Sequence, residues 1–252
     1  MGKFDGYLIC TDYDGTFASK TEPVAANLPA VRYFTDNGGR FSVATGRTEA
    51  FIREKQLATL LNAPASLFNG SMVYDYGENK ALRTRFLPFN VGEFFSLMKP
   101  LLGSVQKIDL YELSDMLIHQ PLSDITGDHL TTPQLKLLCR FATEAEANEF
   151  RREAEKLLPP GLCYVSKSWS LGVEFNPIDG TKGHALDFMK GYLPGIHTTI
   201  GVGNYDNDLS LLRHADISAA PEDSQDIVLQ EAKIILPKCT EGAIAALIDS
   251  LP

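Results

Sequence analysis

The sequence predicts an α/β protein whose parallel-sheet core is interrupted by an α+β module. Apolar strands and amphipathic helices alternate at both ends of the chain, whereas strands and helices alternate less regularly in the middle. We therefore expect a discontinuous core, formed by residues 1–80 and 171–252, and an inserted module at residues 81–170. The 252 residues suffice for two domains of ordinary size.

The N-terminal part of the core begins with an apolar strand that ends at Asp12. Apolar residues then recur at helical spacing until Gly38-Gly39, which ends the helix. Another strand and helix follow, as in a parallel sheet covered by helices. The predicted elements are a strand at 4–11, a helix at 24–37, a strand at 41–45, a helix at 47–61 and a strand at 65–68.

The middle of the chain carries hairpin and helix-cap signals. The turn sequence GENK separates two strand-like segments, and Thr143 with Glu146 matches a capping box before a charge-rich helix. Pro159-Pro160-Gly161 ends that helix. The predicted elements are a hairpin at 71–76 and 81–86, a helix near 94–101, strands near 105–111, 115–119 and 135–142, a helix at 144–158, and strands near 162–167 and 171–175.

Regular alternation returns after Asp179-Gly180, which indicates the C-terminal part of the core. The predicted elements are a helix at 181–190, a strand at 198–203, a helix at 207–213, strands at 216–219 and 233–236, and a helix at 241–250.

Composition excludes several classes of function. Lys and Arg total 23 against 32 for Asp and Glu, and this acidic balance argues against a nucleic-acid partner. No apolar run approaches the ~18 residues of a membrane span, and the N-terminus lacks a signal-peptide pattern. We expect a cytoplasmic monomer or small homo-oligomer with no membrane partner. The cysteines have no metal-site spacing and are predicted to be free thiols: Cys10, Cys139, Cys163 and Cys239.

Polar residues follow several apolar strands of the predicted core. Asp12 and Asp14 follow the first strand, and Gly15 permits the chain to turn there. Because ligands bind at the carboxyl ends of parallel strands, both carboxylates are expected to face one crevice. Two close carboxylates need a cation or a shared proton, and Mg²⁺ is a hard ion that takes oxygen ligands.

Other strand and helix ends add groups that bind phosphate. Thr45 and Gly46 supply a hydroxyl and backbone N–H groups at a helix start, and Lys182 supplies a cation at another. Residues 204–208 follow a further strand and add oxygen ligands and acids. These parts together indicate a phosphoryl-transfer site.

These segments resemble the motifs of the haloacid dehalogenase superfamily of phosphatases, and most closely its Cof-type branch with an α+β (type C2) cap. The resemblance covers roughly residues 1–80 and 170–252, and FNG at 68–70 resembles a segment that precedes this type of cap. It implies a Rossmann-like parallel-sheet core with an inserted cap domain. The matching motifs are DYDGT at 12–16, ATGR at 44–47, Lys182 in DGTKGHAL, and GNYDND at 203–208.

The resemblance also implies a role for each matching residue. Asp12 would be the nucleophile that forms an aspartyl-phosphate, and Asp14 would act as general acid and then as general base. Thr45 and Lys182 would bind phosphoryl oxygens. The predicted sets are Asp12, Asp14, Thr45 and Lys182 for catalysis; Tyr13, Thr45, Gly46, Lys182 and Asn207 for phosphate; and Asp12, Asp14, Asn204, Asn207 and Asp208 for Mg²⁺.

One position departs from the family pattern. Gly203 is followed by Asn204, where the family usually has Asp. An amide oxygen ligates Mg²⁺ without adding negative charge, so weaker metal affinity is expected. The predicted function is a Mg²⁺-dependent phosphatase of a small phosphorylated metabolite such as a sugar phosphate. Two alternatives stay open: a phosphomutase on the same scaffold, and a catalytically weakened ligand-binding or regulatory protein, to which only Asn204 points.

Overall fold

The structure is a computed structural model that describes residues 2–113, 116–119 and 122–252. The first residue of the strand predicted near 115–119 lies outside the described residues. The strands are β1 (Tyr7–Thr11), β2 (Ala18–Ser19), β3 (Glu22–Pro23), β4 (Arg40–Val43), β5 (Ala65–Leu67), β6 (Met72–Asp75), β7 (Lys80–Thr84), β8 (Lys107–Tyr111), β9 (Met116–His119), β10 (Lys136–Arg140), β11 (Cys163–Ser166), β12 (Gly172–Pro177), β13 (Thr198–Val202), β14 (Ile217–Pro221) and β15 (Ile234–Leu236). The α-helices are α1 (Asn27–Asp36), α2 (Glu49–Glu54), α3 (Val91–Met98), α4 (Glu144–Leu157), α5 (Lys182–Tyr192), α6 (Leu209–His214), α7 (Asp226–Glu231) and α8 (Ala243–Ser250).

The chain forms two compact units. The core unit contains Met1–Arg83 and Lys182–Pro252, and the insert unit contains Thr84–Thr181. Strand β12 lies in the segment 171–252 that the sequence pattern places in the core, yet it pairs with β10 and β11 of the insert unit. The physical reason is that Val173 and Phe175 of β12 pack in the apolar core of the insert unit.

The core unit contains a parallel sheet with the strand order β15-β14-β13-β1-β4, which confirms the predicted α/β class. The chain runs from β1 to β4 on one side and later adds β13 on the other side of β1. The direction of winding therefore changes at β1. In open α/β sheets, ligands bind outside the carboxyl ends of the strands at such a switch point.

Apolar helix faces cover this sheet. Leu8 and Cys10 of β1 pack in one cluster with Ala185 and Met189 of α5 and with Leu211 of α6. Helices α1 and α8 pack against each other, and they also contact β4 and β15 respectively. None of the helices in the described ranges is both long and apolar enough to span a membrane.

The insert unit contains an antiparallel sheet with the strand order β11-β12-β10-β8-β9. Alternate residues of its strands form an apolar face that packs on Phe94 of α3 and Phe150 of α4. Phe175 of β12 lies between these helices, with ring centroids 4.8 Å from Phe94 and 6.2 Å from Phe150. The predicted capping box of Thr143 and Glu146 is present at the start of α4.

One local prediction was wrong and one helix was missed. The helix predicted at 47–61 is split, because α2 ends at Glu54 and Gln56 takes a left-handed conformation with φ 56° before a 3₁₀ turn at Leu57–Thr59. Helix α7 was not predicted.

Candidate active site

Three charged side chains meet at the carboxyl edge of the core sheet. Asp12 follows β1, Lys182 is the first residue of α5, and Asp208 lies in a 3₁₀ turn, Asp206–Asp208, after β13. The Lys182 Nζ lies 2.6 Å from Asp12 Oδ1 and 2.6 Å from Asp208 Oδ1. Lys182 and Asp208 are 0 % exposed and Asp12 is 6 % exposed. One lysine therefore bridges two buried acids, so acids outnumber the lysine in this cluster.

Burial and neighbouring charges shift the protonation of this cluster. Burial raises the pKa of the Asp12 carboxyl above its ordinary value, and the Asp208 carboxylate adds to that effect while Lys182 opposes it. Burial alone would lower the pKa of Lys182, but the two carboxylates raise it above its ordinary value. Lys182 is therefore a permanent cation at neutral pH. A further positive charge beside Asp12 would stabilise its ionised form.

Backbone donors fix Asp208 from its other side. Its Oδ2 accepts hydrogen bonds from the backbone N–H groups of Asn204, at 2.9 Å, and Tyr205, at 3.0 Å. Gly203 makes this close approach possible, because a Cβ at that position would lie 2.3 Å from Asp208 Cβ. The Gly-Asn-Tyr sequence after β13 thus folds around Asp208 and aims its remaining oxygen at Lys182.

Asp14 is a second acid with a different environment. Its two carboxylate oxygens accept hydrogen bonds from Nε and Nη2 of Arg47, each at 2.9 Å. The side chains of Asp14 and Arg47 are 37 % and 42 % exposed. Gly15 has φ +81°, which favours glycine at the turn after Asp14. Asp14 is thus held in a defined place by Arg47 and still reaches solvent.

Thr45 lies two residues after β4 and is fully buried. Its Oγ1 accepts a hydrogen bond from the Arg47 backbone N–H at 3.1 Å, and its carbonyl accepts one from Asn69 N–H at 2.9 Å. The side-chain oxygen of Asn69 accepts a hydrogen bond from Asn207 Nδ2 at 3.2 Å. Asn69 therefore connects the end of β4 to the turn after β13.

The role of Asn69 was missed from the sequence. Its signal was FNG at 68–70, where Asn69 takes a left-handed conformation with φ 61°, which Asn tolerates better than most residues. Thr16 was also not named as a site residue, although it belongs to the DYDGT motif. Its hydroxyl lies 3.2 Å from the Asn204 side chain in the geometry described below.

Tyr13 and Gly46 were also predicted to bind phosphate. The Tyr13 side chain is fully buried, its hydroxyl donates to the Thr21 carbonyl at 2.9 Å, and its ring packs against Phe17 and Phe51. This side chain is committed to the core, so only the backbone of Tyr13 is left to serve phosphate binding. Gly46 is half-buried between Thr45 and Arg47, and a phosphate contact there stays a prediction.

Oxygen atoms converge at the Asn204 side chain. One terminal amide atom of Asn204 lies 3.2 Å from Asp12 Oδ2, from the Asp14 carbonyl oxygen and from Thr16 Oγ1. Hydrogen bonds form there when that atom is the amide nitrogen, which then faces three acceptors.

This donor set fits a hard cation such as Mg²⁺, which takes carboxylate, carbonyl and amide oxygens. Across residues 2–113, 116–119 and 122–252, no three His, Cys, Asp or Glu side chains form a metal cluster. A cation here would therefore rely on Asp12 together with the Asp14 carbonyl and the Asn204 amide. The amide nitrogen Nδ2 of Asn207 donates to Asn69, and the role of Asn207 as a metal ligand stays a prediction.

Comparisons with known proteins give the same family. The family model described as haloacid dehalogenase-like hydrolase matches residues 9–248. A curated relative, the 5-amino-6-(5-phospho-D-ribitylamino)uracil phosphatase YcsE of Bacillus subtilis strain 168, is 24 % identical over 249 residues. That match covers 96 % of this chain and 94 % of the relative.

Solved structures share the fold over nearly the whole chain. A haloacid dehalogenase-like hydrolase from B. subtilis has a TM-score of 0.83 at 15 % identity, with coverage of 97 % of this chain and 99 % of that one. The subclass IIB sugar phosphatase BT4131 has a TM-score of 0.76 at 20 % identity, with coverage of 96 % and 98 %. The order of motifs, the parallel core with its insert and the family match lead to one conclusion: the chain belongs to the haloacid dehalogenase-like hydrolases.

Proposed function

We propose that this protein is a Mg²⁺-dependent phosphatase that hydrolyses a small phosphorylated metabolite through an aspartyl-phosphate on Asp12. The observation that carries the proposal is the buried Lys182, which contacts Asp12 and Asp208 at 2.6 Å at the switch point of the sheet. A preorganised cation at this edge both orients the nucleophile and stabilises charge that develops on phosphoryl oxygens.

In the first step, a carboxylate oxygen of Asp12 attacks phosphorus and the bond from phosphorus to the ester oxygen breaks. The proton needed by the leaving alcohol comes from the Asp14 carboxyl, which for this purpose leaves its contact with Arg47. The partial exposure of both side chains supports such a movement. Lys182 and the Thr45 hydroxyl bind the phosphoryl oxygens during the transfer.

In the second step, the Asp14 carboxylate takes a proton from water, and the water oxygen attacks phosphorus of the aspartyl-phosphate. The bond between phosphorus and the Asp12 oxygen breaks, which releases inorganic phosphate and restores both carboxyl groups. The same residue thus serves as acid and then as base.

Asp12, the Asp14 carbonyl and Asn204 would hold Mg²⁺. Asp208 lies close to these residues, because it contacts Lys182, which also contacts Asp12. When bound, the ion supplies positive charge that offsets the repulsion between the carboxylates and an anionic phosphate. The surplus of carboxylates over lysine in this cluster supports a need for that charge.

The substrate class we propose is a phosphorylated sugar or polyol. Its support is the resemblance in fold to a sugar phosphatase and the similarity to a phosphatase of a phosphoribityl compound.

The test is phosphate release from a panel of sugar, polyol and nucleoside monophosphates, with and without MgCl₂. We expect Mg²⁺-dependent release by the wild type and a loss of about a thousandfold or more in Asp12→Asn. Asp36→Asn is a matched control, since it makes the same change at an exposed residue at the end of α1. Beryllium fluoride with Mg²⁺ should stabilise the wild type against heat and leave Asp12→Asn unaffected.

Three results would overturn the proposal in different ways. Absence of release across the panel, together with no response to beryllium fluoride, would indicate a ligand-binding or regulatory protein. Labelled phosphate that moves to another position on the sugar and never appears free would indicate a phosphomutase. Full activity of Asp12→Asn would exclude Asp12 as the nucleophile.

A further inference from the structure

The core unit contains a cavity beside the starts of β4 and β5, away from the carboxyl edge that carries Asp12 and Lys182. Its volume is about 270 Å³, and it lies between the first residue of β4, the segment before β5, the end of β6 and the residue after α5. Arg40 lines this cavity. A strand rises about 3.3 Å per residue, so roughly 16 Å of chain separates Arg40 from Thr45 of the candidate active site. The cavity is therefore a separate place on the core unit.

Two side chains of opposite charge, Arg40 and Asp75, line this cavity. The Arg40 Nη1 group donates to the Asn62 carbonyl at 3.2 Å. Asp75 Oδ1 accepts hydrogen bonds from the backbone N–H groups of Gly77, at 2.8 Å, and Glu78, at 3.0 Å. Within the described ranges, neither Arg40 nor Asp75 forms an ion pair. Backbone contacts thus hold both charges, while further guanidinium N–H groups and the second carboxylate oxygen have capacity for a ligand.

Apolar side chains form much of the remaining wall. Leu61, Pro64 and Leu193 border the cavity together with Tyr76. The Tyr76 hydroxyl donates to the Glu49 carbonyl at 3.3 Å, which fixes the direction of this side chain. Cavities of about 300–1,000 Å³ bind drug-sized ligands, so this smaller one suits a metabolite below that size.

We propose that this cavity binds an aliphatic α-amino acid in its zwitterionic form. The Arg40 guanidinium binds the carboxylate, whose two oxygens match its parallel N–H groups. The second oxygen of Asp75 accepts a hydrogen bond from the ammonium group, and the apolar wall covers the aliphatic side chain. This site is additional to the proposed phosphatase activity and does not depend on it.

The charges of the cavity select against ligands that carry one sign of charge. An inorganic phosphate or a simple carboxylate would pair with Arg40 but would meet the like charge of Asp75. A simple amine would pair with Asp75 but would meet the like charge of Arg40. Such juxtaposed like charges act as the repulsive element of specificity, so a small zwitterion is the ligand that satisfies both residues.

The experiment measures binding to the full chain by calorimetry, without Mg²⁺ and without a phosphate ester. The probes are L-leucine, L-valine and two truncated forms of leucine: isocaproate, which lacks the ammonium group, and isopentylamine, which lacks the carboxylate. We expect L-leucine and L-valine to bind at millimolar concentration or below. Isocaproate and isopentylamine should bind at least about tenfold more weakly than L-leucine, because each leaves one charged group of the cavity without its partner.

Two variants remove one charge each from the cavity. Asp75→Asn keeps an oxygen for the backbone N–H groups of the turn, and Arg40→Gln removes the guanidinium. Each should weaken L-leucine binding at least about tenfold. Asp75→Asn should also lose the preference for L-leucine over isocaproate, and Arg40→Gln the preference over isopentylamine. Arg32→Gln and Asp36→Asn are matched controls at exposed residues of α1 and should leave binding unchanged.

Nitrogen-15 NMR locates the ligand, since the Arg40 Nε–H and Gly77 backbone N–H signals should shift as L-leucine is added. The inference is overturned if neither amino acid binds at millimolar concentration, or if isocaproate or isopentylamine binds as tightly as L-leucine. Undiminished binding in both Arg40→Gln and Asp75→Asn would also overturn it, as would an absence of shifts at Arg40 and Gly77. None of these measurements needs phosphate release. A protein that binds L-leucine here but releases no phosphate contradicts the proposed function alone, and an active phosphatase without this binding contradicts the present inference alone.

Discussion

Both compact units bury a lysine, but the two lysines contact different numbers of carboxylates. In the core unit, Lys182 contacts two carboxylates at 2.6 Å, whereas in the insert unit Lys136 contacts the carboxylate of Glu174 at 2.7 Å. The lysines are 0 % and 1 % exposed. Burial alone would lower the pKa of both lysines, but neighbouring carboxylates raise it above its ordinary value. Both lysines are therefore buried cations.

Among the residues that the structure describes, the charges around Lys136 are matched, and those around Lys182 are not. Beside the Lys136–Glu174 pair, the buried Asp109 is paired with Arg140, and the Lys136 Nζ lies 4.4 Å from the centre of the Tyr111 ring. These groups lie on strands in the interior of a sheet, where a balanced pair holds structure. The carboxylates around Lys182 lie at strand ends and exceed the lysine in number, which is an arrangement that favours a further cation. The balance of buried charge thus separates a structural pair from a candidate site.

The largest expected effect comes from removing the lysine that bridges two acids. Lys182→Met leaves Asp12 and Asp208 buried without their cation, so we expect a loss of about 3–5 kcal/mol in the free energy of unfolding. Phosphate release should be lost as well. Urea unfolding without Mg²⁺ measures the stability and the phosphate assay measures the activity.

The matched control for this variant is Lys190→Met, on the same helix α5 but partly exposed. It should change the free energy of unfolding by less than about 1 kcal/mol. Equal stability of Lys182→Met and the wild type would contradict the view that Lys182 stabilises the two buried acids that it contacts.

The second prediction compares removal of one carboxylate in each unit. Glu174→Gln takes from Lys136 the carboxylate that it contacts, so we expect a loss of about 3–5 kcal/mol. Asp12→Asn still leaves Lys182 paired with Asp208, so its stability should stay within about 1 kcal/mol of the wild type. Urea unfolding of the two variants under identical conditions is the measurement. Equal losses of unfolding free energy in the two variants would show that the second carboxylate beside Lys182 makes no difference between the two units.

The third prediction removes the whole pair from the insert unit. Replacing a buried ion pair by apolar side chains of similar volume is often neutral or stabilising, since no charge is left buried alone. The free energy of unfolding of the double variant Lys136→Met/Glu174→Leu should therefore lie within about 1 kcal/mol of the wild-type value. Each single variant should lose more stability than the double variant. A double-mutant cycle measures this coupling. If the two losses simply add, the residues do not act as a pair.

Sequence patterns were sufficient to locate the strand-end acids and Lys182. The positions of Asp12 and Asp208 follow from parallel strands that end at one edge, because a short chain segment fixes each of them. The Lys136–Glu174 pair was not predicted. Lys136 lies in the apolar segment LKLL, and its partner comes from a strand 38 residues away. Pairing across a sheet depends on strand order and register, which a local pattern does not contain.

The direction of the Tyr13 side chain is another feature that the sequence did not predict, whereas its phosphate contact stays a prediction. The residue lies between two acids of the DYDGT motif, so the motif suggested a phosphate contact. The structure turns its ring into the core against Phe17 and Phe51, because a large aromatic side chain gains more from burial there. A motif fixes which residues are neighbours along the chain but not which face each side chain takes.

The smallest expected effect concerns Asp216 and Lys190, an exposed counterpart of the two buried pairs. The Asp216 oxygens lie 2.8 and 3.0 Å from Lys190 Nζ, and Oδ2 also accepts hydrogen bonds from the backbone N–H and the hydroxyl of Thr199. The hydrogen bond from Lys190 lowers the pKa of Asp216 to about 2, with Thr199 adding to the effect. Solvent screens this pair, so Asp216→Asn should cost less than about 1 kcal/mol at pH 7.

The sign of the pH dependence follows from that lowered pKa. An aspartate that ionises more readily in the folded protein stabilises the fold fully above its unfolded pKa of about 3.9. The contribution is lost as the pH falls from about 4 towards about 2. The difference in unfolding free energy between wild type and Asp216→Asn should therefore shrink over this range, and high salt should reduce it at pH 7. A difference that grows towards acid pH, or that equals the loss in Glu174→Gln, would contradict the view that burial gives the inner pairs their larger effect.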